Sequence, residues 1–196
     1  EEPMRESHPF NNQTFYGATK IAGEAMTSAF YHRYGVSYVG LRYMNVYGPR
    51  QDYRGAYIAV IMKMLDAVDR GEALKVYGDG SQAYDFVSVR DCGRANICAM
   101  KCDVVDEQYN VGTGRRTSIK ELAEMVNRLT NNPGGIEYAP EGQTFVRNRI
   151  ACVDKAKEDL AFEASVDLEE GLRELITWRS SHKKEVEQRR AVAGIL

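Results

Sequence analysis

The strongest constraint on this chain is an alternation. Short apolar runs that read as strands take turns with longer stretches whose apolar residues recur at helical spacing. A helix is expected over 15–34, with Ala18, Ile21, Ala22, Ala25, Met26 and Ala29 on its apolar side and Gly35 as its stop. A buried strand over 37–45 follows, closed by Gly48-Pro49. Residues 56–70 read as a helix carrying Ile58, Ile61, Met62, Leu65 and Val68, and Gly71 ends it. Strands are expected over 74–77, 85–89, 108–111 and 135–139, and helices over 90–101, 118–131, 154–160 and 168–182. Thr117 and Ser118 are both candidates to cap the 118–131 helix. Residues 1–13 read as a loop, and the charged tail 183–196 as frayed or partner-bound. Strands alternating with helices predict an α/β fold with parallel pairing.

Within the first helix stand Tyr16 and Lys20, four residues apart and so about one turn apart on one face. An ammonium near a phenol favours the phenolate, which suits a base that takes an alcohol proton while a hydride leaves the same carbon. Taken alone, the pair reads first as a helix start with a half-buried aromatic and a solvated lysine.

Composition enters by exclusion. The chain has 43% hydrophobic and 28% charged residues with net charge −2. These are globular values that give no reason to propose nucleic acid or a membrane surface as partner. No apolar run approaches the ~20 residues of a membrane span. Cys92, Cys98, Cys102 and Cys152 form no CxxC pair, and His8, His32 and His182 are scattered. No metal site is expected, and reduced thiols in a cytoplasmic setting are the reading.

Further segments follow in order: Leu41-Arg42-Tyr43-Met44-Asn45-Val46-Tyr47-Gly48-Pro49-Arg50-Gln51, Val76-Tyr77-Gly78-Asp79-Gly80-Ser81-Gln82, Asp85-Phe86-Val87-Ser88-Val89-Arg90-Asp91, Tyr109-Asn110-Val111-Gly112-Thr113-Gly114, Lys155-Ala156 and Leu168-Glu169-Glu170-Gly171-Leu172. With Tyr16 and Lys20, this succession resembles the extended short-chain dehydrogenase/reductases that act on nucleotide sugars. Within them it is most similar to the NAD-dependent epimerase/dehydratase group typified by UDP-glucose 4-epimerase. The resemblance runs from about Pro9 to about Trp178.

The resemblance implies a partial Rossmann-like parallel sheet with a smaller α/β substrate-binding lobe. Residues 1–196 would form a single segment, the C-terminal part of the Rossmann domain interleaved with that lobe. The family's GxxGxxG turn has no counterpart here; Gly112-Thr113-Gly114 comes nearest, without a third glycine. The expectation is therefore a C-terminal segment whose glycine-rich half, with the family's catalytic Ser/Thr, lies outside these residues. Such a segment alone is expected to be inactive, with an exposed sheet edge prone to pairing.

The resemblance also assigns roles. Tyr16 would be the base and Lys20 would hold the nicotinamide ribose of NAD, with Tyr43 and Met44 beside the nicotinamide. Asn45 would contact the sugar or diphosphate of a nucleotide-sugar substrate, and Val76 and Tyr77 would build part of the base pocket. Asp91, at a helix start, reads as structural. Two departures stand out. Tyr84 occupies a position where the family carries a phosphate-gripping arginine, and Glu141-Gly142-Gln143-Thr144 stands where an Arg-x-Gly-Asp run is usual. Tyrosine cannot supply a bidentate charged fork, so Arg147 or Arg149 is expected to take over the clamp, surface placement being the alternative. The resulting expectation is a nucleotide-sugar epimerase using NAD, homodimeric in its complete form. A 4,6-dehydratase or reductase on the same scaffold and a non-catalytic binding module are the rivals.

Overall fold

The computed structural model describes residues 3–51, 59–141 and 147–192. The chain runs α1 (Phe15–Tyr34), β1 (Val39–Tyr43), β2 (Asn45–Tyr47), α2 (Val60–Asp69), β3 (Leu74–Tyr77), β4 (Ala83–Tyr84), β5 (Phe86–Ser88), α3 (Val89–Lys101), β6 (Glu107–Val111), β7 (Thr117–Ser118), α4 (Ile119–Thr130), β8 (Ile136–Ala139), β9 (Asn148–Arg149), α5 (Asp154–Leu160), α6 (Leu168–Ser181) and α7 (Lys183–Val192). β1 pairs with β6, β2 with β5 and β3 with β8, all in parallel, and β4 lies between antiparallel β7 and parallel β9.

Local chemistry sets many of the ends. Thr14 caps α1 through its hydroxyl, which accepts from the Gly17 N–H at 3.0 Å, and Gly35 closes the helix at φ 68°. Ser118 and Glu121 form a reciprocal capping box on α4, resolving the choice of cap in favour of Ser118. The strand expected over 37–45 is two strands. At Met44 the chain leaves β6, and β2 pairs instead with β5. The segment expected as a strand over 85–89 is likewise shared between β5 and α3, because the Ser88 hydroxyl accepts from the Arg90 N–H and starts the helix there. The helix expected over 56–70 is seen as α2; its first expected residues, Ile58 among them, lie outside the described ones.

Two apolar clusters organise the interior. One gathers Tyr47, Ile61, Met62, Leu65, Leu74, Val76, Phe86, Leu122, Val126, Leu172 and Leu175 between α2, α4 and α6. The other gathers Val87, Tyr109, Val111, Ala156, Leu160 and Phe162 around β6 and α5. Because β2 and β5 alternate, Tyr47 and Phe86 face the first cluster while Val46 and Val87 face the second. The tail, expected frayed or partner-bound, is helical through Val192. Val186 is buried, and Arg190 bonds Asp66 and Asp69 of α2. Charges far apart in sequence, invisible to a local reading, hold it.

Candidate active site

The site starts from the placement of α1. Its side chains meet the sheet in order. Ser28 donates to Asp106, which also accepts from Tyr38 just before β1. One turn earlier, Glu24 accepts two bonds from Arg42 of β1, at 2.8 and 2.7 Å. Moving toward the N-terminus of α1 is therefore moving toward the C-terminal end of β1. Lys20 and Tyr16 lie one and two further turns along, about 6 and 12 Å beyond Glu24 at helical rise. They stand off the carboxyl edge of the strands, where open α/β sheets bind ligands.

The Lys20 ammonium lies 5.2 Å from the centroid of the Tyr16 ring. Tyr16 is 62% exposed, and none of the residues of α1 is buried. The apolar side expected of this helix, half-buried Ile21 apart, is thus exposed among the described residues.

Beyond the strand ends, the Met44 N–H donates to Val111 O at 2.9 Å, and Gly112 sits so close that a Cβ there would press on Met44 and Asp85. Tyr43 is 40% exposed, and its hydroxyl accepts from Asn96 Nδ2 at 2.7 Å. Burial raises its pKa, and the Asn96 bond opposes the rise. Asn45 is the informative residue. Its main-chain N–H donates to Asp85 O at 2.9 Å, while its side-chain Nδ2 is buried without a hydrogen-bond partner among the described residues. A buried donor without an acceptor costs about 1–3 kcal/mol, so the position is built to receive one.

Asp85, which the sequence reading passed over, holds this region together. Fully buried, its carboxylate accepts from Thr113 N–H at 2.8 Å, Thr113 Oγ1 at 2.7 Å, Gly114 N–H at 2.9 Å and Ala151 N–H at 3.4 Å. Asp91 is likewise fully buried and accepts from the Ser165 and Val166 N–H groups, in keeping with a structural role. Only its place beside a buried strand could have marked Asp85 in the sequence.

The remaining candidates divide. Val76 is fully buried in the first cluster, whereas Tyr77, next along β3, is 53% exposed. Tyr84 packs edge-to-face on Phe86, 6.3 Å between centroids; burial raises its pKa and the Arg149 charge opposes the rise. Arg149 is the cross-strand partner of Tyr84. Arg147 instead lies 3.5 Å from the Glu141 carboxylate with its side chain 78% exposed. Gly142, Gln143 and Thr144 lie outside the described residues. A separate cleft of about 230 Å³ between the Gly112-Thr113 turn and residues 163–167 includes none of Tyr16, Lys20, Asn45 or Arg149. Among the described residues no group of three His, Cys, Asp or Glu could hold a metal ion, and no helix is long and apolar enough to cross a membrane.

Residues 1–112 match the NAD dependent epimerase/dehydratase family. The chain belongs to that family. Its relatives include a putative UDP-glucose 4-epimerase of Methanocaldococcus jannaschii, 34% identical over 93% of this chain and 58% of its own length. Another is a UDP-N-acetyl-alpha-D-glucosaminuronate decarboxylase of Bacillus cytotoxicus, 37% identical over 70% of this chain and 44% of its own length. The crystal structure of UDP-glucose 4-epimerase with UDP-glucose from Thermotoga maritima superposes with a TM-score of 0.85 at 36% identity, covering 91% of this chain and 57% of that one. The family member described here thus spans about half the length of the curated relatives it matches.

Proposed function

We propose that this chain carries the proton-relay and substrate side of a nucleotide-sugar epimerase that works by transient oxidation with NAD. The observation that carries the reading is the Tyr16–Lys20 pair on an uncovered helix face, at the same sheet edge as the unsatisfied Asn45 amide. The residues fit the nicotinamide-ribose end of NAD: an ammonium for the ribose hydroxyls, and the Tyr43–Met44 backbone at the strand ends. When bound, NAD supplies hydride acceptance and return at the sugar carbon.

In this reading the Tyr16 side chain, as phenolate, takes the proton of a sugar hydroxyl as that carbon is oxidised. The Lys20 ammonium offsets the phenolate charge before that transfer and orients the ribose. Asn45 donates its buried amide to the substrate, fixing the nucleotide while the keto-sugar turns. Tyr16 then returns the proton to the other epimer, leaving no net redox change. The family's two-part construction supports a complete enzyme in which further residues finish the constellation. The uncovered face of α1 supports a homodimer built through it, and four free cysteines support a cytoplasmic setting.

The test is a C4 epimerisation assay on the full-length protein with a panel of UDP-, GDP- and dTDP-sugars. Tyr16→Phe should lower kcat by about 10²–10⁴-fold with the circular dichroism spectrum unchanged, since the side chain is largely exposed. Net consumption of reduced cofactor would transfer the assignment to a reductase, and release of CO2 from a uronic acid substrate to a decarboxylase. Binding without turnover of any sugar would leave a binding module.

A further inference from the structure

Tyr16, Lys20, Glu24, Ser28 and His32 stand four residues apart along α1 and form one ridge of side chains that winds slowly around the helix. The far end of the ridge is tied to the strands. Ser28 donates to the Asp106 carboxylate at 3.0 Å, and His32 Nε2 lies 3.2 Å from it. The near end is the proton relay of the reading above, with the Lys20 ammonium 5.2 Å from the centroid of the Tyr16 ring. Glu24 stands between the two ends and brings a negative charge to within one turn of Lys20. Opposite charges at this spacing attract. The positions three and four residues from Glu24 are Lys20, Ile21, Thr27 and Ser28, so Lys20 is the one cation within its reach on this helix. A Glu24 carboxylate left to itself would compete with the Tyr16 oxygen for that ammonium.

Arg42 removes the competitor. Its Nε donates to Glu24 Oε1 at 2.8 Å and its Nη2 to Glu24 Oε2 at 2.7 Å, a two-pronged grip that occupies both carboxylate oxygens. The third nitrogen, Nη1, donates to the Glu6 carbonyl at 2.8 Å, and the Phe10 ring centroid lies 5.4 Å from the guanidinium. The guanidinium is thus fixed from β1, from α1 and from the N-terminal segment together. The Arg42 and Glu24 side chains are 23% and 26% exposed, so water screens their attraction only in part. Lys20, by contrast, makes no hydrogen bond or ion pair among the described residues.

We infer that Arg42 is a positioning residue for the proton relay: it withholds the Glu24 carboxylate from Lys20 and so leaves the ammonium to Tyr16 and the nicotinamide ribose. The inference rests on the epimerase reading above and adds to it what keeps the ammonium available. Removing Arg42 does two things at once. It strips a partly buried carboxylate of its partner, which is costly, and it leaves Lys20 as the nearest replacement. The damage should therefore come from Glu24, and removing the Glu24 charge should cure it.

The experiment measures C4 epimerisation by the full-length protein together with acetylation of its lysines, read by peptide mass spectrometry with exposed Lys75 as internal standard. Arg42→Met should lower kcat by about 10–100-fold, the size of a small misplacement of a reacting group, with KM little changed. It should also slow acetylation of Lys20 by about threefold relative to Lys75, because an ion-paired amine stays protonated. Adding Glu24→Gln to Arg42→Met should restore most of both, whereas Glu24→Gln alone should cost little. If Arg42→Met fails to fold, Arg42→Gln replaces it with the same expectations. The inference is overturned if the double variant is as impaired as Arg42→Met, if Glu24→Gln alone costs as much, or if Lys20 acetylation is the same in every variant; the first two results would make the fork a structural anchor and no more. A full-length protein that epimerises no nucleotide sugar removes the proposed function, while the acetylation still decides whether Arg42 keeps Glu24 off Lys20.

Discussion

At the scale of single residues, burial decides chemistry. Cys92 is buried on the inner side of α3, and burial, with the neighbouring Asp91 charge second, pushes its thiol up to about 12. The thiolate is the reactive form, so near pH 8 this cysteine should resist iodoacetamide in the folded protein and react only after unfolding. Peptide mass spectrometry of native and denatured samples checks this; rapid native labelling of Cys92 would contradict the packing around α3. Tyr47 shows the same force without a reactive outcome. Burial and the carboxylates around it, Asp167 first, raise its phenol pKa, so its buried hydroxyl stays neutral. Such residues are hard to read in a sequence. Tyr16 and Lys20 are found by spacing and Asn45 by resemblance, though only the structure shows its amide buried without a partner among the described residues, whereas Asp85 gains meaning only when four donors are seen to converge on it.

Among elements, helix termini were more legible than strand limits. Gly35 and the Ser118–Glu121 box act within four residues, so local sequence names them. The break at Met44 depends on which distant strand offers hydrogen bonds, β6 before it and β5 after it. The two-residue strands β4, β7 and β9 carry no periodic signal at all, and they place Arg149 beside Tyr84. Packing between helices also sets a pH response. Glu169 of α6 accepts bonds from Arg128 of α4 and from Arg173, which hold its carboxyl down to about 2 from an ordinary 4.5. A depressed carboxyl stabilises the fold fully above its unfolded value and loses that stabilisation as pH falls through the folded one. The α4–α6 tie should therefore weaken between about pH 4.5 and 2. Glu169→Gln should show a smaller fall in urea midpoint across that window than the unaltered protein; an identical fall would mean that solvent screening has removed the effect.

For the whole molecule, the buried charges between α2, α6 and α7 matter most. Arg179 is 4% exposed and reaches Asp66 at 2.8 Å and Asp69 at 2.5 Å, and Arg190 reaches the same two carboxylates at 2.5 and 2.7 Å. Asp66→Ala takes from two guanidinium groups a carboxylate they share, and removing one member of a buried ionic set costs about 3–5 kcal/mol. Urea unfolding should register that loss together with loosening of α7, detectable as faster amide exchange over 183–192. Unchanged exchange there would mean that Val186 alone secures the helix. The sequence by itself determined the α/β alternation, most helix ends and the Tyr16–Lys20 pair, because these rest on interactions spanning a few residues. Tertiary structure alone decided that the charged tail docks, that the strand beyond Tyr43 changes partners, and that Arg149 rather than Arg147 lies beside Tyr84. Each of those outcomes depends on groups tens of residues apart meeting in space, and no local pattern encodes such meetings.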